Sequence, residues 1–125
     1  MTESEFLKSL AKYSGSSIQF KNEELLPGTG WINDVPIDIS ISGGCVILNS
    51  IGEFRGNAHL YGKSLSRGKG NFSRLVPYLK KLLLELGFEQ KIYLTPLSPV
   101  WGNNYKLCEA ENPHKTDCSW YIDLS

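Results

Sequence analysis

The sequence predicts an α+β or α/β domain in which a small, mainly antiparallel mixed sheet packs against one long central helix and an N-terminal helix. In the segment 31–42, apolar and polar residues alternate at period two through Ile37, Ile39 and Ile41, as they do in a strand with one solvated face. A leucine stripe at helical spacing occupies residues 72–88, and a short apolar strand follows at 91–96. The order strand, strand, helix, strand predicts that the last connection is a parallel crossover or its split relative.

Length and composition predict one domain. The chain has 125 residues, of which 41% are hydrophobic and 21% charged, which is enough to bury one continuous core but too little for two. We therefore expect residues 1–125 to form a single domain. Thirteen Lys and Arg balance thirteen Asp and Glu, so no net field draws the chain to nucleic acid or to an anionic membrane. This balance argues against nucleic acid as a partner.

The first half of the chain begins with a short amphipathic helix at residues 3–13. Its apolar residues recur at helical spacing: Phe6, Leu7, Leu10 and Tyr13. Thr2 or Ser4 can cap its first amide groups. Strands are predicted at residues 17–21, 31–42, 45–54 and 58–61. The first long strand follows a turn at 27–30, and the glycine pair at 43–44 predicts a hairpin that makes the next two strands antiparallel.

The second half contains the strongest helix. Its apolar face is formed by Leu75, Val76, Leu79, Leu82, Leu83 and Leu86. Gly87 stands where a left-handed C-terminal cap belongs. Ser73 as the N-cap would place Pro77 at the edge of the first turn, where a proline ring is tolerated. A closing strand is predicted at residues 119–124.

Cysteine usage and hydropathy predict a cytoplasmic protein that does not span a membrane. Cys45, Cys108 and Cys118 are an odd number without a C-x-x-C pair, which is typical of a reducing compartment. The N-terminal stretch has no apolar segment of signal-peptide length, and no run of eighteen apolar residues occurs.

The loop before the central helix is the first candidate site. Six cationic residues and no acidic one occur between Lys63 and Lys81, and the stretch S-R-G-K-G-N-F-S-R leads directly into the helix. A glycine-rich loop at a helix N-terminus offers backbone amides and the positive end of the helix dipole to an anion. The alternative is a polar, basic loop that only precedes a core helix.

Arg67-Gly68-Lys69-Gly70, with Phe72 at the last position, resembles the acyl-coenzyme A segment of the GNAT superfamily of N-acetyltransferases. In that family Arg/Gln-x-x-Gly-x-Gly/Ala follows a strand and opens the main helix. The resemblance covers residues 45–97 and implies acetyl-coenzyme A as a small-molecule acyl donor. It assigns cofactor binding to Arg67, Gly68, Lys69, Gly70, Asn71, Phe72 and Ser73, with charge from the cationic side chains and hydrogen bonds from the backbone amides.

The same resemblance implies direct attack of an amine on the thioester, which needs a base for the amine proton and an acid for the leaving thiolate. It assigns the base to Glu53, at the end of the preceding strand, and the acid to Tyr105. A degenerate relative that binds coenzyme A or another nucleotide without catalysis is the other form of this interpretation.

Two histidine-centred alternatives remain open. Cys108, His114 and Cys118 form C-x5-H-x3-C and could ligate zinc, although a structural zinc site needs a fourth ligand, so no metal is expected. His59 together with Glu53, Arg55 or Arg67 could instead form a small, metal-independent RNase-like site, which the neutral charge of the chain disfavours.

The third candidate is a protein-binding surface. Trp101 lies in P-L-S-P-V-W-G-N-N-Y, a segment that Pro96 and Pro99 rigidify, and rigid aromatic loops bind protein partners at low entropic cost. The function class that follows is a non-enzymatic binding protein, such as a toxin-immunity protein or a phage anti-defence inhibitor.

Overall fold

The computed structural model describes residues 1–52, 71–95, 105–111 and 116–125, and this part of the chain folds as two helices and one seven-stranded sheet. The elements are α1 Glu3–Ser14, β1 Ile18–Phe20, β2 Thr29–Ile32, β3 Val35–Ser42, β4 Cys45–Ile51, α2 Asn71–Leu86, β5 Lys91–Leu94, β6 Leu107–Glu109 and β7 Trp120–Asp123. The predicted α+β class with a mixed, mainly antiparallel sheet is confirmed.

The strands lie in the order β1-β2-β3-β4-β5-β7-β6. Every neighbouring pair is antiparallel except β4 and β5, which run parallel with Val46 opposite Ile92 and Leu48 opposite Leu94. The chain passes through α2 between these two strands, so the predicted parallel crossover is present. The predicted closing strand is β7, which lies between β5 and β6.

Both helices pack on the same face of the sheet. Their buried side chains form one core cluster with alternate strand positions: Phe6, Leu7 and Leu10 from α1, Phe72, Leu75, Leu79, Leu82 and Leu83 from α2, and Ile37, Ile39, Val46, Leu48, Ile92, Leu94 and Ile122 among those from the sheet. Because side chains alternate along a strand, Cys45, Ile47 and Tyr93 point to the opposite face, where they form a smaller cluster with Cys118.

The N-terminus of α1 is closed by its own side chains. The Thr2 hydroxyl accepts a hydrogen bond from the Glu5 amide, and the Glu5 carboxylate accepts one from the Thr2 amide. This capping box and the acidic Glu3 and Glu5 in the first turn compensate the orphan amides and the helix dipole. Gly15, with φ of 66°, ends the helix.

The start of α2 differs from the prediction. The helix begins at Asn71, so Ser73 lies inside its first turn and is not its cap, and Pro77 lies in the helix interior. Since proline has no amide hydrogen, the carbonyl of Ser73 cannot receive its usual bond from position 77. Pro77 is exposed and its ring displaces no core side chain. At the other end Gly87 has φ of 69°, which confirms the predicted cap.

The predicted long strand at 31–42 is wrong in its first part. Asn33 and Asp34 both have positive φ, 48° and 66°, and form a two-residue turn that divides the segment into the β2–β3 hairpin. The glycine pair at 43–44 does form the predicted hairpin, with φ of 55° and 78°. The extended segment predicted at 58–61 lies outside the described residues. Neither described helix combines the length and hydrophobicity needed to cross a lipid bilayer.

Candidate functional site

The parallel pair β4 and β5 fixes the location of the candidate site. The carboxyl ends of both strands lie at the same edge of the sheet. In the sequence α2 connects the end of β4 to the start of β5, so its N-terminus lies toward this edge. The other end of α2 lies at the opposite edge, where the Glu89 amide donates a hydrogen bond to the Gly44 carbonyl. Ligands of open sheets with parallel strands bind beyond the carboxyl ends of those strands, next to helix N-termini.

The two helices differ in the electrostatics of their first turns. In α1 two glutamates and a capping threonine offset the positive end of the dipole. The first turn of α2 contains no acidic residue, and it carries the exposed, cationic Arg74. The first amide groups of an α-helix have no acceptor within the helix itself. The start of α2 is therefore an electropositive end that favours an anion.

Phe72 and Tyr105 are in contact at the start of α2. Phe72 is 6% exposed and belongs to the core, on the face of α2 that meets the sheet. The ring of Tyr105 meets it edge to face, with centroids 5.2 Å apart, and the hydroxyl groups of Tyr105 and Ser73 are hydrogen-bonded. The chain that enters β6 thus places the predicted acid against the first turn of α2.

The structure brings together part of the predicted site. Asn71, Phe72, Ser73 and Tyr105 all lie at or against the first turn of α2. The remaining predicted residues lie outside the described part of the chain: Glu53, Arg67, Gly68, Lys69 and Gly70. The same is true of the residues specific to the alternatives, which are Arg55, His59, Trp101 and His114.

Sequence reasoning missed a β-bulge in β4 at this edge. Asp38 pairs with Ser50 and the next residue, Ile39, pairs with Leu48, so Asn49 is the extra residue. The Thr95 hydroxyl donates to Asn49 Oδ1 over 2.8 Å across the parallel pair, and Asn49 Nδ2 donates to the Ser40 hydroxyl over 2.9 Å. Bulges occur often beside active sites, where they redirect side chains. The polar Asn49-Ser50 pair in an apolar strand was the available signal.

Asp38 belongs to the same polar group. The Thr29 hydroxyl donates to Asp38 Oδ1 over 3.3 Å. Burial raises the pKa of Asp38 above its ordinary value, and the polar side chains of Thr29 and Asn49 oppose that shift.

A second polar group lies at the opposite edge of the sheet. The Cys45 thiol donates to Glu89 Oε2 over 2.7 Å, and the Tyr93 hydroxyl donates to the same oxygen over 3.0 Å. Burial and then the Glu89 carboxylate raise the pKa of Tyr93. Cys45 is 0% exposed, so this thiol is closed to substrates and the group is structural.

The described cysteines do not form a metal centre. All three are free thiols, and within the described residues no three His, Cys, Asp or Glu side chains gather to hold a metal ion. Cys118 is buried beside Cys45 in the cluster opposite the helices.

Comparison of the chain with protein-family models, with curated proteins and with solved structures gave no match.

Proposed function

We propose that this chain binds acetyl-coenzyme A at the N-terminus of α2 and acts as a small GNAT-like acyltransferase, or as a degenerate relative that retains coenzyme binding. The observation that carries the proposal is the electropositive start of α2 at the carboxyl edge of the β4–β5 pair. The first turn of α2 contains no acidic residue, Arg74 adds charge, and Arg67 and Lys69 precede it closely in the chain. A pyrophosphate group needs this combination of amides and cations.

The order of elements supports the same ligand. A strand, a glycine-containing segment, a helix and a parallel strand follow one another from β4 to β5. With the phosphates at the first turn of α2, the pantetheine arm would extend toward the carboxyl ends of these strands, where the bulge at Asn49 interrupts the regular ladder. The buried ring of Phe72, at the last position of the motif, faces the core. The backbone amide of this residue rather than its side chain is therefore assigned to phosphate.

The proposed reaction uses two side chains as proton carriers. Glu53 takes a proton from the acceptor amine, whose nitrogen attacks the thioester carbonyl carbon. The carbon–sulfur bond then breaks, and Tyr105 returns a proton to the leaving thiolate. The products are the acetylated amine and free coenzyme A, and transfer of the proton from Glu53 to the Tyr105 phenolate through solvent restores both side chains. The position of Tyr105 against Ser73 supports its role, because it lies at the helix end assigned to the coenzyme.

We further propose that the chain works in the cytoplasm, which the three free thiols support. The second candidate function is a non-enzymatic binding protein, such as a toxin-immunity protein or a phage anti-defence inhibitor, that docks through the Trp101 segment. The exposed side chains of Leu25 and Leu84, at 77% and 66%, favour this class because a protein partner could cover them. No observation on the described residues favours the RNase-like alternative.

Thermal unfolding with acetyl-coenzyme A tests the proposal. A ligand at one hundred times its Kd stabilises the folded state by about 2.7 kcal/mol, so the melting temperature of the wild type should rise. The double variant R67A/K69A should lose most of this rise. The matched control K80A/K81A removes the same charge from exposed positions further along α2 and should keep it. No rise for the wild type at millimolar ligand, or an equal loss in both variants, would contradict the proposal.

A further inference from the structure

Five polar side chains lie on neighbouring positions of β2, β3, β4 and just after β5. Thr29 donates to Asp38, and Thr95 donates to Asn49. Asn49 donates to Ser40, which lies two residues after Asp38 on the same strand. The neighbouring residues Ile37, Ile39 and Leu48 belong to the core on the helix side. Since side chains alternate along a strand, Asp38 and Ser40 point to the face opposite the helices.

Asp38 is the unusual member of this polar group. Aspartate is depleted in strand interiors, and a partly buried carboxylate is stable only when it is well compensated. Its register partners on β2 and β4 are Thr29 and Ser50, which carry no charge. Among the described residues an ion pair forms between Lys8 and Glu23, and it does not involve Asp38. No charged side chain in the described part of the molecule contributes to the pKa of Asp38.

The hydrogen-bond capacity of Asp38 is not exhausted. An ionised carboxylate offers about four acceptor positions, and among the described residues the Thr29 hydroxyl donates to one of them. The side chain is partly exposed, so a ligand can reach it. Ser40 adds a hydroxyl oxygen within the same group. A group with positive charge and several donors would complete this arrangement.

We propose that Asp38, positioned by the Thr29 hydroxyl, binds the ammonium group of a small organic amine. An ammonium group fits better than a divalent metal because one carboxylate with neutral oxygens is a weak metal ligand set, and no acidic or histidine cluster accompanies it in the described residues. The identification of this amine as the acyl acceptor rests on the proposed function, since Asn49 and Thr95 link the group to the carboxyl ends of β4 and β5.

Titration of the isotope-labelled protein with n-butylammonium, followed by NMR, tests this site. The amide signals of Thr29, Asp38 and Asn49 should shift, and n-butanol at equal concentration should leave them unchanged. D38N should weaken amine binding at least tenfold. D34N is the matched control, because Asp34 is an exposed carboxylate in the neighbouring turn whose left-handed backbone suits asparagine, and it should bind like the wild type. Equal binding by D38N and wild type, equal shifts with n-butanol, or no shifts would overturn the inference.

Two further readouts separate this inference from a structural role and from the proposed function. If Asp38 serves a ligand, D38N should be at least as stable as the wild type near neutral pH. A destabilised D38N with unchanged amine binding assigns Asp38 to structure and overturns the site. Acetyl-coenzyme A binding should be the same in D38N and wild type. Amine binding without acetyl-coenzyme A binding would leave this site standing and reject the proposed function, whereas the reverse result would reject this site alone.

Discussion

The rings of Phe72 and Tyr105 meet edge to face, with their centroids 5.2 Å apart and their planes at 87°. Phe72 is anchored in the core between α2 and the sheet, whereas Tyr105 is partly exposed and precedes β6. The contact therefore holds Tyr105, which we propose as the proton donor, against the first turn of α2, which we propose binds the coenzyme. A hydrogen bond between the Tyr105 and Ser73 hydroxyl groups fixes the same orientation.

Replacing Tyr105 by phenylalanine separates its ring from its hydroxyl group. Y105F should keep the contact with Phe72 and lose at most about 1 kcal/mol of stability. If Tyr105 protonates the leaving thiolate, acetyl transfer should fall by roughly 10²- to 10⁴-fold while the Kd of acetyl-coenzyme A is unchanged. Y78F, which removes a tyrosine hydroxyl further along α2, should retain the rate. A Y105F enzyme with full activity would exclude this assignment.

Removing Pro77 should stabilise the protein. P77A restores a backbone amide that can donate to the Ser73 carbonyl and removes a ring from the helix interior. A proline costs about 3 kcal/mol inside a helix, but its loss also increases the entropy of the unfolded chain by up to about 1 kcal/mol. We expect a net gain of about 2 kcal/mol in chemical denaturation. L84A, at an exposed site of the same helix, should change stability by less than about 0.5 kcal/mol, and a destabilised P77A would show that the helix depends on the proline.

Gly28 is required by a close backbone approach. A Cβ atom at this position would lie 2.1 Å from the Ile39 carbonyl oxygen, and the Ile39 amide donates to the Gly28 carbonyl over 2.9 Å. G28A should therefore lose about 3 kcal/mol of unfolding free energy. G15A is the control: its site is open but has φ of 66°, so it should lose only about 1 kcal/mol. Equal losses in the two variants would mean that backbone conformation, not contact, decides the cost.

The raised pKa of Tyr93 predicts a loss of stability at alkaline pH. Burial and the Glu89 carboxylate favour the protonated phenol in the folded state. The unfolded chain, with an ordinary tyrosine pKa of about 10, loses this proton first. The stabilisation is complete below pH of about 10 and is lost as the pH rises above it. Denaturation of wild type and Y93F across this range should show a steeper fall for the wild type; parallel curves would contradict the assignment.

The regular parts of the fold were predictable because local signals and packing agree there. The leucine stripe of α2 and the left-handed Gly87 gave its packing face and its end, and the glycine pair at 43–44 gave the β3–β4 hairpin. Two local features were not predictable in the same way. Asn33 and Asp34 stand shortly before the alternating residues Ile37, Ile39 and Ile41, so the predicted strand was extended over them, yet both adopt positive φ. The position of Pro77 predicted a helix start with Ser73 as the cap. Burial of Phe72 and Leu75 in the core instead extends α2 to Asn71.

The candidate site was predictable only where the chain is contiguous. The residues before and in the first turn of α2 form one stretch of sequence, so a motif could single them out. The polar group around Asp38 draws on four separate strands or strand ends, and its assembly depends on strand order and on the bulge at Asn49. Neither is encoded at a fixed spacing. In the sequence, each residue of this polar group looks like an ordinary solvated position of a strand.

The most direct test of the central claim is an amide-resolved NMR titration of the wild-type protein with acetyl-coenzyme A. If the start of α2 holds the pyrophosphate, the largest shifts should fall on the backbone amides of residues 71–74 and should saturate with a single Kd. Inorganic pyrophosphate should move the same amides more weakly, since it lacks the pantetheine arm. Unmoved signals for residues 71–74 at millimolar acetyl-coenzyme A would contradict the account.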